Sequence, residues 1–286
     1  MNYGDTLECV SSLLEINRND YTIVIVDNSS HNESIKELQQ YFRGNEKIHI
    51  IKAPSNLGYS GGNNMGIIWL TNKSIERIII ATNDTVLISK DILEKLDALE
   101  LEDVGIVGPS LLSLDGTQQN PLVLAPSALY FANLFFYRQM RQLRSTLYHL
   151  FPAIERRRNL AVGKVRKTLA SENAVSRPRS VYMLQGAFLY LTKSFIDQIG
   201  LLDDNIFMYQ EEHLLSWQCE QHGLARWYVP WITVLHKERK SMESVHKNEK
   251  AKYVELYTRK SQQYITQKIG LFSFLLFLIK RAASTQ

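Results

Sequence analysis

The sequence predicts an α/β protein built on a mostly parallel sheet covered by helices. Three observations lead there. Short apolar, β-branched runs recur at 22–26 (TIVIV), 47–51 (KIHII), 77–81 (RIIIA) and 104–108 (VGIVG). Segments with helical apolar spacing lie between them. The connections are short, which is the pattern of strands crossing back through helices to parallel neighbours.

Each element has its own signal. Residues 5–16 read as a helix: Leu7, Val10 and Leu14 fall on one face, and Asp5 with Glu8 resembles a capping box. Ser30 and Glu33 suggest a second cap, and Ile35, Leu38 and Phe42 continue that helix. A Gly/Asn-rich loop, NLGYSGGNNMG (56–66), precedes a helix from about Asn63 to Leu70, and another helix runs near 89–99. VYMLQGAFLYL (181–191) reads as a buried strand broken by Gly186, and ARWYVPWITVLHKERKS (225–241) as a strand ending near His236. Between them MYQEEHLLSW (208–217) enters a helix with Glu211 and Glu212 in its first turn, where the helix dipole favours negative charge.

Composition bounds the function. The 286 residues are 45% hydrophobic and 22% charged, an ordinary globular balance. Cys9 and Cys219 lie too far apart in sequence for a zinc motif or a disulfide framework, so a reducing cytosol fits best. There is no apolar run of spanning length and no signal peptide at MNYGDTLE. The net charge of +4 conceals a block between Arg138 and Arg179 with eleven Lys/Arg against Glu155 and Glu172. One cationic face on an otherwise acidic chain points away from general nucleic-acid binding.

Ligands of such sheets bind beyond the carboxyl ends of the strands. Asp27 ends one strand and Asp84 follows another. A carboxylate there can hold a divalent ion that binds a diphosphate, or it can simply form an Asx-turn or helix cap. The glycine-rich loop lets backbone approach a ligand, yet it lacks both the dinucleotide fingerprint and the P-loop lysine, so it also reads as a plain β–α turn. His236 alone reads as structural.

The order of these segments is more specific than any one of them. IVIVDNSS, NLGYSGGNNMG, ATNDT, LQGAFLYL, GLLDDNIFMYQEEHLLSW, WYVPWITVLHKERKS and YVELYTRKSQQYITQK, in that sequence, resemble the family 2 inverting glycosyltransferases of GT-A fold, particularly the rhamnosyltransferase-like branch. The resemblance covers about residues 1–115 and 180–268. It implies a donor site in which Asp27 hydrogen-bonds the nucleotide base near Asn2 and Tyr3. Asn56, Gly58, Gly61, Gly62 and Asn63 line the nucleotide sugar, with Asn83 and Gly186 in the same site. It implies that Asp84, the single acid of a degenerate metal motif (TND), and His236 hold Mg²⁺ or Mn²⁺. Glu212 is then the catalytic base and Glu211 the acid beside it. The implied reaction moves a sugar, rhamnose by branch, from a nucleotide diphosphate to a hydroxyl of a glycan or lipid-linked acceptor in cell-surface polysaccharide synthesis.

Three departures accompany the resemblance. The chain begins at Met1-Asn2-Tyr3, where the family's first strand ends, so either the coding sequence starts upstream or the sheet lacks a central strand. Leu214 stands where an acid follows the base, and the metal motif has one acid instead of two. These give an alternative reading, a catalytically impaired homologue serving as a membrane-docked subunit of a glycan-assembly complex. The domain plan is a transferase domain over 1–268: a nucleotide-binding part (1–115), a basic helical insertion (about 125–179) and an acceptor part (180–268). A C-terminal tail (269–286) follows, whose IGLFSFLLFLI is too short to span a bilayer. The basic insertion and the tail suggest peripheral binding to the anionic inner face of the cell membrane from the cytoplasm.

Overall fold

The computed structural model describes residues 3–30, 33–124, 177–237 and 247–269. Asn2, most of the basic segment and the tail beyond Ile269 lie outside these residues, so the expectations placed on them stay as expectations. The elements in order are α1 (Tyr3–Leu14), β1 (Ile23–Asp27), α2 (Ser34–Tyr41), β2 (Ile48–Lys52), α3 (Gly58–Thr71), β3 (Ile78–Ala81), β4 (Thr85–Leu87), α4 (Ile92–Asp97), β5 (Val104–Leu112), β6 (Arg179–Ser180), β7 (Phe188–Leu191), α5 (Lys193–Gln198), α6 (Glu211–Gln221), β8 (Ala225–His236) and α7 (Lys247–Ile269).

The α/β class stands, but the strand directions correct the parallel expectation. Among the described strands β1–β2 and β5–β8 pair in parallel, whereas β3–β7, β5–β7, β4–β8 and β6–β8 are antiparallel. Sequence could not show this, because β7 is buried on both faces and therefore reads as an unbroken apolar run whatever its direction. The described strands form two sheets, β1–β2 and β3–β7–β5–β8–β4 with β6 beside β8. Helix α3 packs on both: Gly66 lies against Val26 of β1, and Ile67 joins Ile78 and Ile80 of β3 in one apolar cluster.

Local chemistry explains where the elements begin. The Asp5 and Glu8 carboxylates of α1 both take the Lys237 ammonium, at 3.0 and 2.5 Å. Lys237 follows β8, so this ion pair pins α1 to the end of that strand. Ser30 does not occupy the cap position of α2, which is Glu33 before Ser34; its N–H donates to Asp27 Oδ1. The predicted loop at 58–63 is instead the first turn and a half of α3. Gly58 turns the chain with φ +74°, Asn56 Oδ1 accepts the Gly58 N–H, and the Asn28 amide clasps Leu57 N and Gly58 O. A Cβ on Gly58 would lie 2.0 Å from the Phe207 carbonyl oxygen. That glycine lets α3 reach the loop before α6, where Tyr59 N–H donates to the same carbonyl (3.0 Å) and Asn64 holds both the N–H and the carbonyl of Leu202.

Gly58→Ala therefore combines a backbone clash with a left-handed φ, and it should cost about 3 kcal/mol or more in urea unfolding. Gly44→Ala, at φ +81° with nothing near its Cβ, isolates the conformational part and should cost about 1 kcal/mol.

Candidate active site

Two groups of side chains meet at the mouth of the larger sheet. The first is the carboxylate pair. Glu211 and Glu212 open α6, immediately after Tyr209 and Gln210, two non-glycine residues in the left-handed region (φ 66° and 69°). Such backbone is costly and persists only where neighbours hold it. Here they do: the Ser261 hydroxyl of α7 donates to the Met208 carbonyl (2.9 Å), and Phe207 stacks on Tyr257 with ring centroids 4.9 Å apart. Asp203, at the start of the same loop, accepts from Lys268 and Tyr264 of α7.

The pair faces a small recess lined by Tyr59, Gly186, Leu202, Asp203 and the two carboxylates among others. Glu212 Oε1 accepts the Gly186 N–H at 3.4 Å, and the Tyr59 hydroxyl donates to the Gly186 carbonyl at 2.6 Å. A Cβ on Gly186 would stand 3.0 Å from that hydroxyl and 3.5 Å from Glu212 Oε1, so a side chain here would crowd both. Glu211 Oε2 is shut off from solvent with no hydrogen-bond partner among the described residues. Burial, then the charge of Glu212, pushes Glu211 up to about 8; burial also raises Glu212 against the restraining backbone N–H groups. Burial lowers His213 to about 4, so it stays neutral and adds no cation to offset the pair.

The second group is Asp84 with His236. They sit side by side because Thr85 of β4 pairs with His236 of β8. Asp84 Oδ2 lies 3.4 Å from His236 Nε2, and the Thr82 hydroxyl donates to Asp84 Oδ1 at 2.8 Å. Burial would raise the Asp84 carboxyl, but the His236 ring beside it and the hydrogen bond from Thr82 outweigh it and hold it below the usual range. A carboxylate oxygen and an imidazole nitrogen are a donor set suited to Mn²⁺ or Mg²⁺, and two neighbouring ligands of an octahedral ion stand about 3 Å apart. The pair thus fits two positions of such an ion. Among the described residues no third His, Cys, Asp or Glu joins them.

The two groups are joined through the backbone. Gly186 donates to Glu212, and the carbonyl of the next residue, Ala187, accepts the Thr82 N–H (2.8 Å), placing Thr82 against Asp84. Asp27 stands apart at the end of β1: it is fully buried, with Oδ1 held by Ser30 N–H and Oδ2 without a partner among the described residues. Asn83 donates to Thr6 of α1, and Tyr3 packs on the β1–β2 cluster. Gly61 and Gly62 lie inside α3, closely packed on Leu57 and Asn28, and the Asn63 amide donates to Tyr59 O within the helix. Leu214 lines the same recess and packs in a cluster with Ile206, Trp217, Ile265 and Ile269. Sequence reasoning missed Tyr59, Thr82 and Asp203. Tyr59 was within reach, as the one aromatic in the glycine-rich stretch.

The sequence profile of glycosyl transferase family 2 matches residues 3–163. This chain belongs to glycosyl transferase family 2. Among the family's relatives, the low-salt glycan biosynthesis hexosyltransferase Agl10 of Haloferax volcanii is 28% identical over 216 residues, 75% of this chain and 58% of that protein. Solved structures share the GT-A fold at low identity. GalNAc-T7 with UDP, GalNAc and Mn²⁺ aligns at TM-score 0.51 and 14% identity over 84% of this chain and 42% of its own. The mannosyltransferase PcManGT of Pyrobaculum calidifontis, with GDP-Man and Mn²⁺, aligns at 0.51 and 11% over 84% and 55%. S. aureus TarS 1-349 with UDP-GlcNAc aligns at 0.52 and 12% over 84% and 57%. The chain spans about half the length of these proteins. Among the described residues no helix is long and apolar enough to cross a membrane.

The raised carboxyl pair has a signed consequence for stability. A folded value near 8 against an ordinary 4.5 means that the folded protein keeps a proton the unfolded chain releases, so stability falls as pH rises through that window. Glu211→Gln removes this dependence. It should be more stable than the parent by about 4 kcal/mol at pH 8.5, raising the melting temperature by roughly 8 °C, and the difference should shrink to about 1 kcal/mol or less at pH 5.

Proposed function

We propose that this family 2 protein transfers a sugar from a nucleoside diphosphate to an acceptor hydroxyl with inversion, Glu212 serving as the base. The observation that carries the reading is the coupling of a shielded carboxylate pair to the Asp84–His236 group through two consecutive backbone residues, Gly186 and Ala187. The first suits proton removal from a hydroxyl near neutral pH. The second suits a divalent ion, which when bound would neutralise charge on the departing diphosphate.

In the proposed reaction the acceptor oxygen forms a bond to the anomeric carbon, and the acceptor's proton passes to Glu212. The bond from the anomeric carbon to the phosphate oxygen breaks, and the diphosphate leaves with its electron pair. With a base and no protein nucleophile the displacement is direct, which gives inversion by the same geometric logic as in glycosidases. Burial keeps Glu212 basic, and Glu211 lies beside it in the same recess. Gly186 N–H fixes the Glu212 carboxylate, and Tyr59, held as a neutral phenol by burial and by both carboxylates, fixes Gly186. The Asp27 carboxylate, buried with one oxygen free of partners among the described residues, suits an N–H of the donor's base. Rhamnose as the sugar, a glycan or lipid-linked acceptor, and docking on an anionic membrane surface belong to the same proposal. The last is supported by the basic composition between Arg138 and Arg179 and by the apolar run after Lys268.

A non-catalytic docking subunit is the competing reading, favoured by Leu214. Yet Leu214 is explained by its packing under α7, whereas two carboxylates held in a recess with no cation beside them among the described residues are costly and have no evident use in docking.

The test is a nucleotide-sugar screen, with and without Mn²⁺, followed by Glu212→Gln. The substitution should reduce transfer by at least about 10³-fold while leaving donor affinity within a few-fold. Undiminished transfer by Glu212→Gln would refute the assignment of the base, and no turnover by the parent with any donor would favour the docking subunit.

A further inference from the structure

The segment Gln118-Gln119-Asn120 lies outside every motif of the sequence reading, yet it touches both halves of the site. Gln118 and Asn120 are buried. The Gln118 amide donates to Ser110 Oγ (2.8 Å) and to the Tyr228 hydroxyl (2.9 Å). Asn120 donates to the Pro109 carbonyl (3.0 Å) and accepts from the Gln185 N–H (2.8 Å), one residue before the glycine that holds Glu212. Gln119 N–H donates to the Leu111 carbonyl (2.8 Å). The residue between the two anchors is therefore fixed in place, and its side chain turns the other way, bringing Oε1 to 2.7 Å from His236 Nδ1.

We propose that Gln119 is a positioning residue that sets which nitrogen of His236 is free to coordinate. A carbonyl oxygen can only accept, so Nδ1 must carry the ring proton. Nε2, on the side of Asp84, is then left with its lone pair. In the opposite amide orientation the Gln119 NH₂ group would donate to Nδ1, the proton would sit on Nε2, and His236 could not bind a metal beside Asp84. The inference rests on the reading of Asp84 and His236 as a divalent-ion site, and outer partners of this kind commonly govern metal affinity by 10- to 100-fold.

Mn²⁺ binding, measured by EPR at pH 8 with and without UDP, tests it in the parent, Gln119→Leu, Gln119→Glu and Asp84→Asn. Gln119→Leu should weaken Mn²⁺ by about 10- to 100-fold and lose the imidazole ¹⁴N coupling from the electron spin echo spectrum. Gln119→Glu keeps an acceptor on Nδ1 and should retain both affinity and coupling. The proposal is overturned if folded Gln119→Leu binds Mn²⁺ within about twofold of the parent with the coupling intact while Asp84→Asn loses the ion. It is overturned equally if folded Gln119→Glu loses the ion. Unchanged binding by Asp84→Asn overturns the metal reading itself, a result separable from failure of the base assignment, which only transfer assays address.

Discussion

The centre of this molecule depends on main-chain hydrogen bonding along three residues, Gln185 to Ala187, just before β7. The Gln185 N–H is held by Asn120, the Gly186 N–H holds Glu212, and the Ala187 carbonyl holds Thr82 beside Asp84. Backbone groups cannot rotate away as side chains can. The spacing between the Glu212 and Asp84 carboxylates is therefore tied to the peptide itself, with about 3.8 Å from one Cα to the next. A glycine is needed at the middle position because the Tyr59 hydroxyl and Glu212 leave little room for a Cβ.

Around that segment the fold works to keep an unfavourable arrangement in place. Two carboxylates side by side, with a neutral histidine next to them, would relax toward solvent if they could. They are prevented by α3 on one side, through Tyr59 and Asn64, and by α7 on the other, through Ser261, Tyr257 and Lys268. The left-handed pair Tyr209–Gln210 is the joint at which the chain is forced to deliver Glu211 and Glu212 inward. The Asp5–Lys237–Glu8 group does the same work at the other corner, tying α1 to the end of β8 where His236 sits.

Much of this was legible in the sequence, and the exceptions share a cause. Strand and helix positions followed from apolar periodicity, which depends on local burial; β1, β2, β3 and β8 fall within a residue or two of their expected bounds. The order of motifs had singled out Asp84 and His236, and Glu211 with Glu212, which the fold places as two neighbouring pairs. Strand direction was not legible, because a strand buried on both faces carries no mark of its orientation. The Lys237 partner of Asp5 was not legible for a related reason: a carboxylate near a helix start looks the same whether its partner is an adjacent N–H or a lysine 232 positions away. Tyr59, Thr82 and Gln119 act through contacts that span 127, 105 and 117 positions, and no window along the chain brings such pairs together.

Leu214 has a consequence for how this chain could change. It is sealed beneath α7 against Ile265 and Ile269, which are themselves almost wholly buried. An acid introduced there would have to give up its charge or lift that helix away, and α7 is also the brace for the loop ahead of Glu211. Position 214 and the buried face of α7 are thus not independent variables. A path toward a second acid after the base must alter two helices together, and the intermediate with only one of them altered is the least stable member of the series.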